Sequence, residues 1–508
     1  MRRVIFGLLA ILLGLFTAIG WYGFQHGFSK KWRTYLAQQF HKQGFEVSVR
    51  RLTLDPFRGL VAREMKVYDP ENRKHVIAVI DQVNLGVNYS RVFRGKALLD
   101  SVDLRDARLS FPLDPASPRS ETAVITHLHA RIFFPPRQIY LSHADAEFYG
   151  IHLSASGRVI KPRDFRVMLG LANSPGNTIA TIIREMKTLR YEGHHPFAQI
   201  EFSGDLAQPE SFSATLNLHA SDVRRRRYLL RRFDLSASFR NGVLELQQLD
   251  AADSRGELHA RATYGLSSQK LECSIRSSLD LQELNRAFRF VDKPPIFLDD
   301  PPRFEFTVQG TLAEEPRLRA VGHLSLGNFS LKSEAFTSLA ADVSWDGDRW
   351  SVRDFHLTHR SGDVSGDAMQ LPENFRAVLH SSIDPKALLP LLSGRAADWL
   401  SQFEFGSEPT VDLQIAGTAP SPDTCSASGD VQFAHTTFRN LQASGTAKLE
   451  YAEGAVSLAP FPGGEKGNGR VTFDFSKDEV RIDPPPPRPA PETPPALERN
   501  SAADPEPL

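Results

Sequence analysis

Cysteine is nearly missing from this sequence. The 508 residues hold two, Cys273 and Cys425, far apart in the chain. That excludes a disulfide framework and a cysteine-based zinc site. One long-range bridge and two free buried thiols both stay open. Net charge is missing too: 60 Lys and Arg balance 60 Asp and Glu. A neutral chain exerts no broad pull on nucleic acid, so no nucleic-acid partner is expected. Tyrosine is scarce beside phenylalanine, 10 against 34. Phenylalanine has no polar handle, so the excess points to buried or lipid-facing surface rather than base or sugar stacking. Strand–helix–strand units do not recur, which argues against a doubly wound α/β enzyme.

Catalytic signatures are also lacking. There is no G-x-x-x-x-G-K-[ST], no H-E-x-x-H and no G-x-S-x-G. Gly463-Gly464-Glu465-Lys466-Gly467-Asn468-Gly469 has the wrong order for a dinucleotide loop and reads as a hairpin tip. His127 and His129 share a strand face, and His194-His195 precede Pro196, but a metal site needs a third ligand and an orienting shell. These histidines read as solvated. Arg224-Arg225-Arg226-Arg227, with Arg231 and Arg232, could meet anionic lipid head groups or nucleic acid. In a neutral chain it reads as a solvated loop edge. No enzyme, metal or cofactor is therefore expected.

What is present begins with a membrane signal. Met1-Arg2-Arg3 precedes an uncharged run from Val4 to Phe24. Its length suits a spanning helix of about 20 residues. Trp21 and Tyr22 stand at its outer end as membrane-interface residues. Ala18-Ile19-Gly20 would serve as a signal-peptide cleavage site. The apolar run continues past that site, which favours an uncleaved anchor with the bulk of the chain exported.

Ser29 to Gln43 reads as an amphipathic helix, with Trp32, Leu36 and Phe40 four apart and Gly44 as its stop. Beyond it the period is two. Phe45, Val47 and Val49 alternate with polar residues, as do Val83, Leu85 and Val87. The same holds for Leu216 and Leu218, for Phe304, Phe306 and Val308, for Val411, Leu413 and Ile415, and for Val471, Phe473 and Phe475. Turn signals such as Asn241-Gly242, Asp346-Gly347 and Glu453-Gly454 separate the runs.

A repeat underlies the pattern. Pro196, Pro302 and Pro409 each precede a strand ending eight residues on, at Gly204, Gly310 and Gly417. The period is about 106 residues. Short helices are expected before each block, over 177–189, 280–288 and 384–392. At 8–12 residues per strand the body holds about 30–40 strands. Stacked at about 4.8 Å, they would extend for about 150 Å. The organisation expected is a membrane anchor (1–28), a helix and β-region (29–176), and β-repeats over 177–279, 280–383 and 384–482. A Pro-rich tail (483–508) follows, which cannot bury a core. The third repeat stops at Ile482 without a recognisable cap, so a deliberate tail and a truncated product both stay open.

The order of these features resembles the AsmA-like family of bacterial envelope proteins. The likeness lies in the short inner terminus, single anchor and following helix. Next come Gly44-Phe45-Glu46-Val47-Ser48-Val49, Leu52-Thr53-Leu54, Pro56-Phe57 and Gly59-Leu60. Asp81-Gln82-Val83-Asn84-Leu85-Gly86-Val87, Gly95-Lys96 and Val102-Asp103-Leu104-Arg105-Asp106-Ala107-Arg108-Leu109 continue it. The Pro…Gly strands resemble that family's C-terminal repeats, and the Pro-rich end departs from it.

The resemblance implies a mainly β fold: an elongated, twisted antiparallel β-sheet trough with short interspersed helices and one N-terminal transmembrane helix. It implies a single-pass inner-membrane protein with its bulk in the periplasm. Its expected role is phospholipid transport or outer-membrane biogenesis, its partners phospholipid acyl chains, the inner membrane and other envelope proteins. Leu216, Leu218, Phe304, Phe306, Val308, Val411, Leu413, Ile415, Val471, Phe473 and Phe475 are the groove-lining candidates. The competing arrangement packs these residues into a closed sandwich core. The competing functions are an adaptor that binds other chains through sheet edges and, behind it, an envelope hydrolase.

Overall fold

The computed structural model describes residues 30–42, 46–55, 59–68, 76–87, 99–112, 122–135, 138–160, 183–205, 208, 210–292, 295–313, 316–392, 394–439, 441–461 and 469–483. The expected anchor with Trp21 and Tyr22, the glycine-rich stretch before Gly469 and the Pro-rich tail lie outside these residues. Among the described residues no helix is long and apolar enough to cross a membrane.

The chain is mainly β, with 30 strands and a few short helices among the described residues. Twenty-seven strands belong to one mixed sheet and three short ones to a second. Two compact units are present. The first takes residues 1–330 with 338–350, and the second 331–337 with 351–508. The division therefore falls inside the segment 280–383.

In the first unit, helix α1 (Lys30–Lys42) lies on strand β1 (Glu46–Asp55). The expected helix is thus observed, and its spacing of four explains the contact: Leu36 and Phe40 are buried. They join Leu52, Met65, Val83 and Leu104 in one core. That core lies on β1, β2 (Gly59–Tyr68), β3 (Val76–Val87) and β4 (Leu99–Pro112). The sheet continues through β5 (Thr122–Phe133), β6 (Gln138–Phe148) and β7 (Ile151–Ile160), each antiparallel to the one before.

After the two-residue β8 (Arg190–Tyr191), strand β9 (Phe197–Asp205) lies parallel to β7. The sheet is therefore mixed, which corrects the expectation of a wholly antiparallel one. A parallel neighbour needs a crossover of a dozen or more residues, and the chain from 161 to 196 supplies that length. From there the order is a meander through β10 (Ser213–Arg225), β11 (Tyr228–Arg240), β12 (Val243–Ala252), β13 (Glu257–Gly265) and β14 (Lys270–Ser277). Helix α2 (Leu281–Phe288) and β15 (Ile296–Leu298) leave the sheet. It resumes with β16 (Arg303–Thr311) and β17 (Arg317–Leu326). The short β18 (Phe329–Leu331) and β19 (Glu334–Phe336) follow, and β20 (Ser338–Asp346) pairs with β17.

The chain continues through β21 (Arg349–His359), which belongs to the second unit from Ser351 on, then β22 (Gly362–Leu371) and β23 (Asn374–Ser381). A 3-10 turn (Pro385–Leu388), helix α3 (Arg395–Ser401) and β24 (Phe403–Phe405) come next. Strands β25 (Thr410–Gly417), β26 (Cys425–Phe438), β27 (Leu441–Ala452), β28 (Ala455–Phe461), β29 (Gly469–Asp474) and β30 (Glu479–Asp483) form a second antiparallel meander.

Each of the three Pro…Gly blocks opens a run of six sheet strands: β9–β14, then β16, β17 and β20–β23, then β25–β30. The repeated geometry is local and physical. Pro196, Pro302 and Pro409 are buried just before their strands, where a residue without an N–H leaves no donor unpaired. A Cβ added at Gly204, Gly310 or Gly417 would lie 2.0, 2.0 and 2.3 Å from the carbonyl oxygen of Ser211, Arg317 and Thr424. Only glycine lets the two strands approach so closely. The strand-to-helix corners also match. Ser278 Oγ accepts the Glu257 amide at 3.0 Å, and Ser382 Oγ accepts the Asp363 amide at 3.0 Å. Asp280 then caps α2 by accepting the Glu283 amide, and Asp384 accepts the Lys386 amide.

The expected helices fare differently. The one over 280–288 is present as α2. Of 177–189, residues 183–186 are helical, and 177–182 lie outside the described residues. The one over 384–392 is only the 3-10 turn, because Pro390 lacks the amide that a further helical turn would use. Helix α3 begins beyond it and was not anticipated.

Phe438 is fully buried at the centre of the second unit. Phe438→Ala should cost about 3–5 kcal/mol, read as a lower denaturation midpoint for that unit. Gly310 has φ +153 and the close carbonyl just described. Gly310→Ala should cost about 1–3 kcal/mol and speed amide exchange in β16 and β17. Unchanged exchange would contradict the close approach.

Candidate functional site

Antiparallel partners share a face, so the registers show which side chains meet. In the first unit one row crosses nine strands: Ile200, Leu216, Ala237, Leu246, Ala262, Cys273, Val308, Ala320 and Trp345. The next row runs through Leu218, Leu235, Leu249, Ile275, Phe306 and Val343, with Gly322 opposite Phe306. Phe304 heads a third row opposite Ser277 and Leu324. Leu216, Leu218, Phe304, Phe306 and Val308, chosen from two separate repeats, thus lie on one continuous apolar face.

The burial of that face sets it apart from a core. The large side chains at 216, 218, 304, 306 and 308 are all half-buried. Fully buried positions here are mostly alanines, Ala198, Ala220, Ala251, Ala260 and Ala341, overshadowed by larger neighbours. The buried core clusters of the described residues take none of their members from β9–β17. The Phe306 ring lies over Gly322, whose added Cβ would stand 2.4 Å from Cδ1. The cross-strand glycine makes room for the ring to lie flat on the sheet.

The second unit begins in the same way and ends differently. Leu413 lines up with Gly429, Leu449, Leu458 and Val471, and Ile415 with Ala427, Tyr451, Val456 and Phe473. Val411, Leu413 and Ile415 are half-buried, but Val471 and Phe473 are each only 2% exposed. The Trp399 ring of α3 meets Phe403 and Phe475 edge-on, with centroids 5.1 and 6.1 Å away, and stacks on Phe473 at 6.0 Å. Val471 therefore sits in a packed core with Phe403, Phe438 and Phe461, and Phe473 is buried against Trp399, not along the half-open stretch. Here the closed-core arrangement holds, because α3 covers the face.

The opposite face of the first unit is polar and strongly patterned. One row reads His219, Asp234, Asp250, His259, Arg276, Glu305, His323 and Asp342. His219 and Asp234 lie 2.5 Å apart, His259 and Asp250 2.8 Å, and His323 and Asp342 2.7 Å. In the second unit His380 and Asp412 repeat the arrangement at 2.6 Å. These pairs were not anticipated, because their members are distant in sequence. A cleft of 990 Å³ opens over this face of β13, β14, β16 and β17. Arg255, Arg276 and Arg303 face Glu257, Asp300 and Glu305 in it. Three charges against three give it no preference for an anion.

The sequence-level histidine candidates form no centre. His127 bonds Asp106 at 2.9 Å, His195 bonds the Gly150 carbonyl at 3.2 Å, and among the described residues no group of three potential ligands could hold a metal. Cys273 and Cys425 are free, half-buried thiols. The arginine run is a solvated edge only in part: Arg226, Arg227, Arg231 and Arg232 are exposed, while the first three of the run make fixed contacts. Arg224 pairs with Glu192 at 2.5 Å, Arg225 pairs with Glu185, and Arg226 donates to the Arg286 carbonyl at 2.9 Å. It joins the 183–186 helical turn to α2.

Comparison with protein families, with curated proteins and with solved structures found no match.

The His259–Asp250 pair carries a pH prediction. The hydrogen bond from Asp250, helped by Glu257, holds the His259 pKa above its ordinary value. Gln248 first and His259 second hold Asp250 below the usual carboxylate range. A raised histidine stabilises the fold below its unfolded value of about 6.5 and stops doing so as pH rises through its folded value. A lowered aspartate stabilises above about 3.9 and stops as pH falls through its own. The pair contributes most between those limits. His259 should titrate above the ordinary histidine value in carbon-13 NMR, and Asp250→Asn should return it toward that value.

Proposed function

We propose that the apolar face over β9–β17 shelters phospholipid acyl chains. On this reading the protein is an AsmA-like, inner-membrane-anchored β-groove with its bulk in the periplasm, serving phospholipid transport or outer-membrane biogenesis. One observation carries it: the candidate apolar residues of two repeats share a face whose large side chains stay half-exposed. Soluble proteins rarely leave contiguous apolar patches larger than a few hundred Å² open to water. Acyl chains would cover the face, and each buried methylene contributes about 0.8 kcal/mol.

The dimensions suit this occupant. Neighbouring strands are about 4.8 Å apart, so nine strands offer about 40 Å of continuous apolar surface. One leaflet of a bilayer is about 15 Å of hydrocarbon, half of its core. A single acyl chain would therefore span about four strands. No nucleophile or metal is required, because shape and apolar area do the binding.

The test is photo-cross-linking in membranes from cells expressing the full chain, with a photoreactive residue at Leu218. A phospholipid adduct is expected by mass spectrometry. Phe306→Asp should cut it at least about tenfold, since a buried Phe is worth about 1.5–3 kcal/mol and 1.4 kcal/mol is a factor of ten. Expression should be unchanged. Loss of expression would indicate a closed core, and a wild-type chain without lipid adduct would sink the reading.

A further inference from the structure

We infer that the corner formed by α2 and the chain after it is a docking surface for an anionic lipid membrane. It goes beyond the acyl-chain reading and stands on different residues. Phe290 is 69% exposed, Phe297 55% and Val291 51%, which puts all three among the most exposed large apolar residues described. They are not stray side chains on a loose loop. Asn285 fixes Val291 from both sides: its Oδ1 accepts the Val291 amide at 2.9 Å, and its Nδ2 donates to the Val291 carbonyl at 3.0 Å. Arg289 closes α2 in the left-handed conformation, its amide donating to the Asn285 carbonyl. The Phe290 ring stacks on Phe288 at 5.5 Å with an interplanar angle of 4°. The structure thus holds Phe290 and Val291 outward, and β15, which carries Phe297, lies beside α2.

Their surroundings select the partner. The arginine turn between β10 and β11 reaches this corner. Arg225 lies over the Phe288 ring at 4.3 Å, and Arg226 donates to the Arg286 carbonyl. Arg226, Arg227 and Arg289 are exposed, and among the described residues no carboxylate is paired with their side chains. Against them stands the exposed Asp292. Exposed aromatic and aliphatic groups framed by arginine match a surface with an apolar interior and anionic head groups. A protein partner would more commonly bury a wider contact, of about 800 Å² per side.

The test uses the full chain in phosphatidylcholine nanodiscs. An environment-sensitive dye is placed at Phe297→Cys in a Cys273→Ala, Cys425→Ser background. A second preparation carries the dye at Met369→Cys, an exposed site in the other unit. Added vesicles containing phosphatidylglycerol should shift the 297 dye to the blue and allow quenching by brominated acyl chains. The 369 dye should not respond, and neither dye should respond to pure phosphatidylcholine vesicles. Arg226→Ser with Arg227→Ser should weaken the response about thirtyfold, taking each charge near an anionic surface at its usual worth. Lysine at both positions should restore it, which separates charge from folding. An equal response at 297 and 369, or no response to phosphatidylglycerol, would overturn the inference. So would protection of the 297 dye by a soluble envelope protein and not by vesicles.

Discussion

The period-two alternation of each strand, locked by cross-strand register, is the constraint on which the other features depend. Once a strand's apolar residues face one way, pairing forces its neighbours to do the same, or the sheet buries charge. In the first unit this propagates from Ile200 to Trp345. A one-residue slip anywhere in that series would bring His219, Asp234 or His323 onto the apolar side. The polar ladder and the apolar face are two consequences of one register. The cross-strand histidine–aspartate pairs reinforce it, though each exposed pair is worth only about 0–1 kcal/mol.

What differs along the chain is the covering of the apolar face. Over β1–β6 helix α1 supplies Leu36 and Phe40, and a closed core results. In the second unit α3 supplies Trp399, and Val471 and Phe473 are buried. Over β9–β17 the core clusters contribute nothing, and leucine, isoleucine and phenylalanine stay half-exposed. Alternating strands produce either outcome, so the presence of a helix with apolar side chains to spare is what separates a core from an open face.

Much of the fold was legible in advance. The Pro…Gly strands, the Asn-Gly and Glu-Gly turns and α2 were readable because each depends on local backbone chemistry. Gly242 and Gly454 have φ +72 and +76, which only glycine adopts cheaply. Other features were hidden for physical reasons. Leu249 joins the same face as Leu246 despite a spacing of three, because the β-bulge at Gln247 and Gln248 adds a residue to the strand. The consecutive glutamines were its only trace. The parallel pairing of β7 with β9 left none, since it depends on a path through space.

The sequence by itself determined that the chain is mainly β, that a Pro…Gly strand recurs about every 106 residues, and which residues of each strand are apolar. Those properties follow from alternation, proline and glycine, all of which act within a few residues. The tertiary structure alone decided that Leu216 and Val308 share a row, that Phe473 is core while Phe306 is half-open, and that Arg225 and Arg226 engage helical segments. Each of those depends on which distant strand or helix lies alongside, and period-two alternation carries no information about that.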